Sequence, residues 1–498
     1  MRRLGCIAWL VVVTACDAGP YCDHDAAESA LAAAAPGDVV ELGACEVMGP
    51  LHVPPGVTLA GGPSTVLVAP AESAAVVALG DDAGGETVVR DLDVRVEGRI
   101  GILFRGGGAA RVSDVELDVR RGIGLGAAEL GDLTMSGVTL RGEITQDNAD
   151  DSRWVRVIAA PVASAACPSA PCDCEPGEVD AVGGRACDAN GRWATLTATY
   201  GLVLSGVTSA TLTDVTVAGF AQWGAVLVDS GVTWSGGAVA DTLGIGVRQA
   251  GGTLALTDVS VEGTRAGLRG ERPYGVITAE GGRLEGHRVI VADNDRYGVL
   301  ISGGTGILED LVAERNGDAA LWVASTTDFE LCGTATRIAD NDFAGAVVTD
   351  STGVRLADGA IRASREVERP VGIGVLRVGD GVHLTGLSGP IELVDLTIEE
   401  NARSGIVLDL GATGVSHATF TNVAVTGSGT QLGAVAGRPA SGGLAIEPPG
   451  SWDSGITRNP ALSANDAAFT GTIAAVEDAL PSAISPPGDV LGVVAPMF

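Results

Sequence analysis

Two phrases of the sequence carry acids at chemically useful spacing: VADNDRYGVLI from Val291 and IADNDFAGAVV from Ile338. Asp293 and Asp295 flank one asparagine, and Asp340 and Asp342 flank the other. Carboxylates so placed are hard oxygen donors of the kind calcium takes. Asp318, in the phrase NGDAAL between them, could complete such a set. A second reading needs no ion. Arg315 holds, in the intermediate phrase, the place that Asp293 and Asp340 hold in theirs. Acid, base and acid in a file would stabilise one another modestly. Calcium is the one cofactor these residues suggest; otherwise none is expected.

What would set these groups in a file is a repeat. NDRYGV at Asn294, NGDAAL at Asn316, NDFAGA at Asn341 and NARSGI at Asn401 share a pattern. Each reads asparagine, three residues, glycine or alanine, then an apolar residue. Gly263 holds the same slot ahead of Gly267. Asn and Gly tolerate positive φ, so the slot is a turn. Stacked Asn side chains can also hydrogen-bond from one turn to the next. A small residue followed by an apolar one recurs at Gly101, Gly122, Gly201, Gly224, Gly244, Gly267, Gly298, Ala320, Gly345, Gly372, Gly405 and Gly433. An irregular period in the twenties marks a solenoid with loops of differing length. LTDVSV and LVDLTI alternate as strands with one face on a continuous core. Coils spaced by ~4.8 Å put the two ADND phrases, two coils apart, roughly 10 Å from each other. Calcium ligands sit at about 2.4 Å, so that spacing favours the charge ladder over one shared ion.

Composition agrees. Glycine is 73 of 498 residues and aromatics are 4%, within an apolar share of 46%. Many short Val-, Ala- and Leu-rich strands fit that balance better than a few aromatic cores. A formal charge of −31 repels nucleic acid, so no nucleic-acid partner is expected. There is no lysine, which removes Schiff-base chemistry and any lysine base. Asp25 to Ala35 predicts a short helix stopped by Pro36-Gly37. The solenoid is expected over 36–440, broken by a cysteine-rich insertion at about 142–199. A loosely packed tail rich in Pro, Ser and Ala follows at 441–498.

The amino terminus has its own logic. Arg2 and Arg3 precede an apolar run from Ile7 to Val13, too short to span a bilayer, and the run ends in VTAC. This resembles the lipobox of bacterial lipoproteins. The resemblance implies a signal peptide over 1–15, lipid on Cys16, and an anchor segment with capping helix over 16–35. A membrane partner through that lipid, at the bacterial cell envelope, follows. Such a compartment permits disulfides. Cys22 and Cys45 flank the helix and could staple it. Cys167, Cys172, Cys174 and Cys187 suggest two further bridges of open connectivity. Cys332 is left over in an apolar run and reads as a small buried hydrophobe.

The helix followed by the short strands DVVEL, LHV and VTLAG resembles the entrance of the right-handed parallel β-helix (pectin-lyase-like) superfamily. The resemblance implies an all-β, single-stranded right-handed parallel β-helix solenoid with an N-terminal helical cap. Its catalytic signatures are missing. Asp81-Asp82 and Asp150-Asp151 are isolated pairs, and there is no Gly-His-Gly. Lyases of this fold with a lysine base are excluded; those with an arginine base and calcium stay open through Arg296, Arg315 and Arg403. The five histidines are each solitary in sequence, and Trp154, Trp193, Trp223 and Trp322 are available for sugar stacking. The expected function is a binding flank for a polysaccharide or an envelope protein. The alternatives are a calcium-assisted polysaccharide lyase and a purely structural spacer.

Overall fold

The computed structural model describes residues 21–145 (save 70–73, 80–84 and 98), 156–157, 178–180, 185–187, 193–195, 199–266, 273–371, 374–409, 418–426, 428, 444–447 and 466–473. The expected signal peptide, Cys16, Cys167, Cys172, Cys174, Trp154 and most of the tail lie outside them.

The chain enters through the helix His24–Ala33. Asp23 caps it, its carboxylate accepting the Ala26 N–H at 3.0 Å. Ala27 and Leu31 are the helix residues buried against the first coils, so the helix covers the apolar end of the core. A Cys22–Cys45 disulfide, with Cα atoms 5.8 Å apart, ties this cap to the solenoid.

One coil shows how the rest is built. Tyr297–Ser302, Thr305–Glu309 and Val312–Glu314 are three straight walls. Gly303, Asp310 and Arg315 turn the corners between and after them, all at positive φ. Aspartate supplies most non-glycine corners along the chain, including Asp214, Asp258, Asp293, Asp340, Asp358 and Asp395. A short polar side chain tolerates this left-handed backbone better than a bulky one does. Inward residues alternate along the walls, and the Leu308, Leu311 and Ala313 side chains join one continuous core.

Successive coils pair in parallel. The first wall forms a 14-stranded sheet, and the other two merge into a 24-stranded sheet. In the 14-stranded sheet a row of glycines takes one inward position. A Cβ on Gly201 would lie 2.5 Å from the Gly224 carbonyl, and one on Gly275 2.5 Å from that of Gly298. The pairing register corrects the sequence repeat at several coils. Leu125 faces Leu202, and Ala225 faces Val247, so Gly124 and Gly246, rather than Gly122 and Gly244, hold the repeat position. Both lie in a Gly-Ile-Gly run, where two glycines precede an apolar residue and only the pairing distinguishes them. Likewise Val276 and Val382, not the residues after Gly267 and Gly372, continue the column. Gly267 and Gly372 lie outside the described residues, and at the later point an antiparallel hairpin precedes the return to register.

The insertion carries strands Arg156–Val157, Glu178–Asp180, Arg185–Cys187 and Trp193–Thr195 in a sheet of their own. Late in the chain, Leu444–Glu447 adds in parallel to Ser404–Asp409, whereas Asp466–Ile473 adds antiparallel to Ala418–Thr426. Cys332 differs from expectation. It is a free thiol and only partly buried, because it points outward from the end of its strand. Burial, then the charges of Glu330 and Glu309, raise its pKa, so the thiol stays protonated.

Candidate functional site

Asn294, Asn316 and Asn341 are buried and joined through their side chains. The Asn294 Nδ2 donates to Asn316 Oδ1 at 2.9 Å, and Asn316 Nδ2 to Asn341 Oδ1 at 2.9 Å, across separations of 22 and 25 residues. Thr264 takes the slot before them, with its hydroxyl on Asn294 Oδ1 at 2.8 Å. The slot falls on Thr264, not on Gly263, which is the corner residue itself. Asn401 accepts the Ser364 N–H at 3.1 Å further along.

The acids considered for calcium go to arginines instead. Arg315 grips Asp293 with two bonds, 2.8 and 2.7 Å. Asp295 pairs with Arg265 at 3.1 Å, and Asp318 with Arg296 at 3.1 Å. Asp340 is a corner residue, and the Asp342 N–H donates to the Asn316 carbonyl. None of the five belongs to the one metal-competent group among the described residues, which is His287, Glu309 and Asp310. The arginines are poor bases where they stand. Asp293 and then Glu314 raise the pKa of Arg315 despite slight desolvation. Burial would lower that of Arg296, but Tyr297 and Asp318 outweigh it and raise it. Arg403 is clamped on Asp380 through Nε, at 2.8 Å, and Nη2, at 2.5 Å.

The unusual chemistry lies on the outer face of the 14-stranded sheet. The outward residues of a solvated sheet face are ordinarily polar. Here they form a second apolar cluster with Tyr200, Trp223, Tyr274, Tyr297 and Phe343 among its members and Trp322 packed against it. The rings run in a file. Tyr274 stacks on Tyr297 at 5.5 Å, Tyr297 meets Trp322 edge-on at 5.0 Å, and Trp322 stacks on Phe343 at 6.3 Å. His383 continues it, 6.4 Å from Phe343. Guanidinium groups lie over two of the rings, Arg248 on Trp223 at 5.5 Å and Arg296 on Tyr297 at 4.7 Å.

Three arginines of this face have a carboxylate: Glu280 for Arg248 at 3.2 Å, Asp318 for Arg296, and Asp380 for Arg403. Asp380 also takes a bond from His383 Nδ1 at 3.1 Å, and both are wholly buried. Burial alone would push the Asp380 carboxyl up; Arg403 and His383 outweigh it and hold it below the usual range. Val367, at the start of the antiparallel hairpin Val367–Val371 and Gly374–Val378, packs against the same cluster. Trp322 and the Arg296 guanidinium, whose side chain is 23% exposed, reach solvent.

Sequence reasoning named Arg296, Arg403, Trp223 and Trp322, took Asp318 for a calcium ligand and His383 for a solitary histidine, and did not find Tyr274, Tyr297, Phe343 or Asp380. Asp380 and His383 are three positions apart in DGVH, a spacing that a regular strand puts on opposite faces, so their meeting at 3.1 Å was not legible from alternation. Arg403 meets them from the next coil.

No protein-family model matches the chain, and no curated protein matches it. Solved structures do. A periplasmic alginate epimerase is 11% identical, with 86% of this chain and 83% of that one covered at a TM-score of 0.37. A bacteriophage tailspike protein is 14% identical over 86% of this chain and 62% of its own, with a TM-score of 0.43. The A-module of a mannuronan C-5 epimerase from Azotobacter vinelandii is 15% identical over 86% and 96%, with a TM-score of 0.33.

Proposed function

We propose that the protein binds a glycan chain along the outer face of the 14-stranded sheet, centred on Tyr297 and Trp322. The ring file carries this reading. Trp322 is the ring of the file that reaches solvent, backed by the buried Tyr297 and Phe343, and the adjoining Arg296–Asp318 pair offers hydrogen bonds at a fixed position. Sites of this kind combine aromatic lining with a few placed polar groups. The charge balance selects the ligand. Arg248, Arg296 and Arg403, the arginines nearest the ring file, are each already paired, so they bring no surplus positive charge for a polyanion, and the chain as a whole carries −31. A neutral glycan fits better than a uronate polymer. The same pairing leaves an arginine-base lyase without its base.

Titration of the full chain against a panel of neutral and acidic oligosaccharides tests this. Neutral ligands should bind, with little dependence on salt, since no long-range charge attraction is involved. Trp322→Ala should weaken binding by roughly tenfold or more, as truncation of a central aromatic anchor does. Trp322→Ala binding as tightly as the parent would refute the site. Steep loss of binding with salt would refute the neutral ligand.

The amino terminus supports an envelope location. Lipid on Cys16 would hold the binding flank at a membrane surface. Metabolic labelling with a fatty acid should mark the parent chain and not Cys16→Ala; equal labelling would remove the anchor from this reading.

A further inference from the structure

The geometry points to Asn316–Gly317 as a latent site of covalent self-modification. It is closed while the turn ladder is bonded, open to deamidation when the coil opens, and a bar to reclosure once it has reacted. Asn followed by Gly is the dipeptide in which the main chain most readily attacks its own side chain, because a residue without Cβ leaves its nitrogen unhindered. The chain has two such pairs, Asn190–Gly191 and Asn316–Gly317. The former lies outside the described residues, and the latter lies in the ladder.

The fold itself dictates this pair. The ladder takes an amide at position 316, where the side chain is wholly buried. The next position admits no side chain, since a Cβ on Gly317 would run into the Asp295 carbonyl oxygen of the preceding coil. On the sister coils the ladder asparagines precede Asp295 and Asp342, whose side chains hinder such an attack.

The reaction needs no partner but water. The Gly317 nitrogen bonds to Asn316 Cγ and gives up its proton, the side-chain nitrogen leaves as ammonia, and a succinimide ring results. Water then cleaves one of the two carbonyl–nitrogen bonds of the ring, leaving aspartate or isoaspartate. In the closed coil both nitrogens are engaged. The Gly317 N–H donates to the Asn294 carbonyl at 2.8 Å. Asn316 Nδ2 donates to Asn341 Oδ1 at 2.9 Å and to the Val291 carbonyl at 3.2 Å. Attack must break the Gly317 bond and departure the other two, so the rate follows the fraction of time the coil is open. Either product is ionised at neutral pH. Its carboxylate would face the Val291 carbonyl and Asn341 Oδ1, both acceptors, in a buried place, so the slot closes on it only with loss of stability. Isoaspartate also lengthens the main chain by one carbon between the walls Val312–Glu314 and Ala319–Ala324.

Peptide mapping of the full chain, incubated at mildly alkaline pH in buffer and across a urea series, tests the inference. In strong urea both Asn-Gly pairs should deamidate at comparable rates. In buffer, position 316 should react at least about tenfold more slowly than in strong urea, and its rate should climb with the unfolded fraction. Asn341→Ala, which removes an acceptor of Asn316 Nδ2, should raise the rate at 316 in buffer severalfold. Asn316→Asp, which reproduces one product, should unfold at lower urea than the parent. Reaction at Asn190 but not at Asn316 in strong urea would remove the site. Equal rates at 316 in buffer and urea, or a folded Asn341→Ala no faster than the parent, would remove the gate. A urea midpoint in Asn316→Asp equal to that of the parent would remove the bar to reclosure.

Discussion

Two stretches of the same turn file differ in how well they are bonded. From Thr264 through Asn294 and Asn316 to Asn341, every slot side chain reaches the next coil. From Ser364 to Asn401 the contacts thin. The Ser364 N–H still donates to Asn401 and the Asn401 N–H to Ser428 Oγ at 3.3 Å, but Ser364 Oγ, Asn401 Nδ2 and Ser404 Oγ are buried without a hydrogen bond. Each such group costs about 1–3 kcal/mol. The thin stretch is also where the chain leaves the coil for the hairpin and returns at Asp380 beside Arg403. The regular stretch is built for cohesion. The irregular one gives up ladder bonds and concentrates its binding in a single buried ion cluster. Local stability is therefore unevenly distributed along the rod.

The largest break in this comparison should come from Asp380→Ala. It removes the buried carboxylate that Arg403 grips with two bonds, and breaking a buried pair of this kind costs about 3–5 kcal/mol in denaturant unfolding. A loss under 1 kcal/mol would mean the cluster is not what holds the irregular stretch. The same carboxyl sets a pH dependence. Its folded pKa lies below the unfolded value of about 3.9, so its contribution is complete above that value and is lost as pH falls through the lower folded one. Asp380→Asn should flatten the acid limb of the stability curve; an unchanged limb would assign acid sensitivity elsewhere. Asn316→Ala comes next. It strips Asn294 Nδ2 of the nearer of its two acceptors and Asn341 Oδ1 of a donor, for about 2–3 kcal/mol. Hydrogen exchange should then rise at the coils on both sides and not at Asp380. The smallest effect is a gain. Ser364→Asn restores the missing ladder side chain and should stabilise by about 0.5–1.5 kcal/mol, the net worth of one hydrogen bond. Destabilisation instead would show that the slot is closed to a longer side chain.

What the sequence revealed follows from where the fold makes demands at fixed positions. The asparagine slot was legible as a recurring pattern but not for the reason given by positive φ, which falls on the residue before it, Asp293, Arg315, Asp340 and Glu400, while the asparagines are buried. The cap was legible because Pro36-Gly37 ends a helical run just before the first strands. The repeat marker slipped by two residues where Gly-Ile-Gly offered two candidates, since only hydrogen-bond pairing chooses between them. The ring file and the His383–Asp380–Arg403 cluster were hidden because their members meet across coils, after excursions of unequal length. Five acids grouped by sequence proximity were distributed among three arginines and the corners. His287, read as solitary, meets Glu309 through coil stacking.

The strand Asp466–Ile473 runs against the direction of every other strand in its sheet. A second molecule approaching there with its own parallel rung would meet a template of reversed polarity. Together with the helix seated at the opposite extremity, this disfavours head-to-tail polymerisation, the hazard of any stacked β-architecture with matching open ends. The protein can then be concentrated without threading itself into filaments.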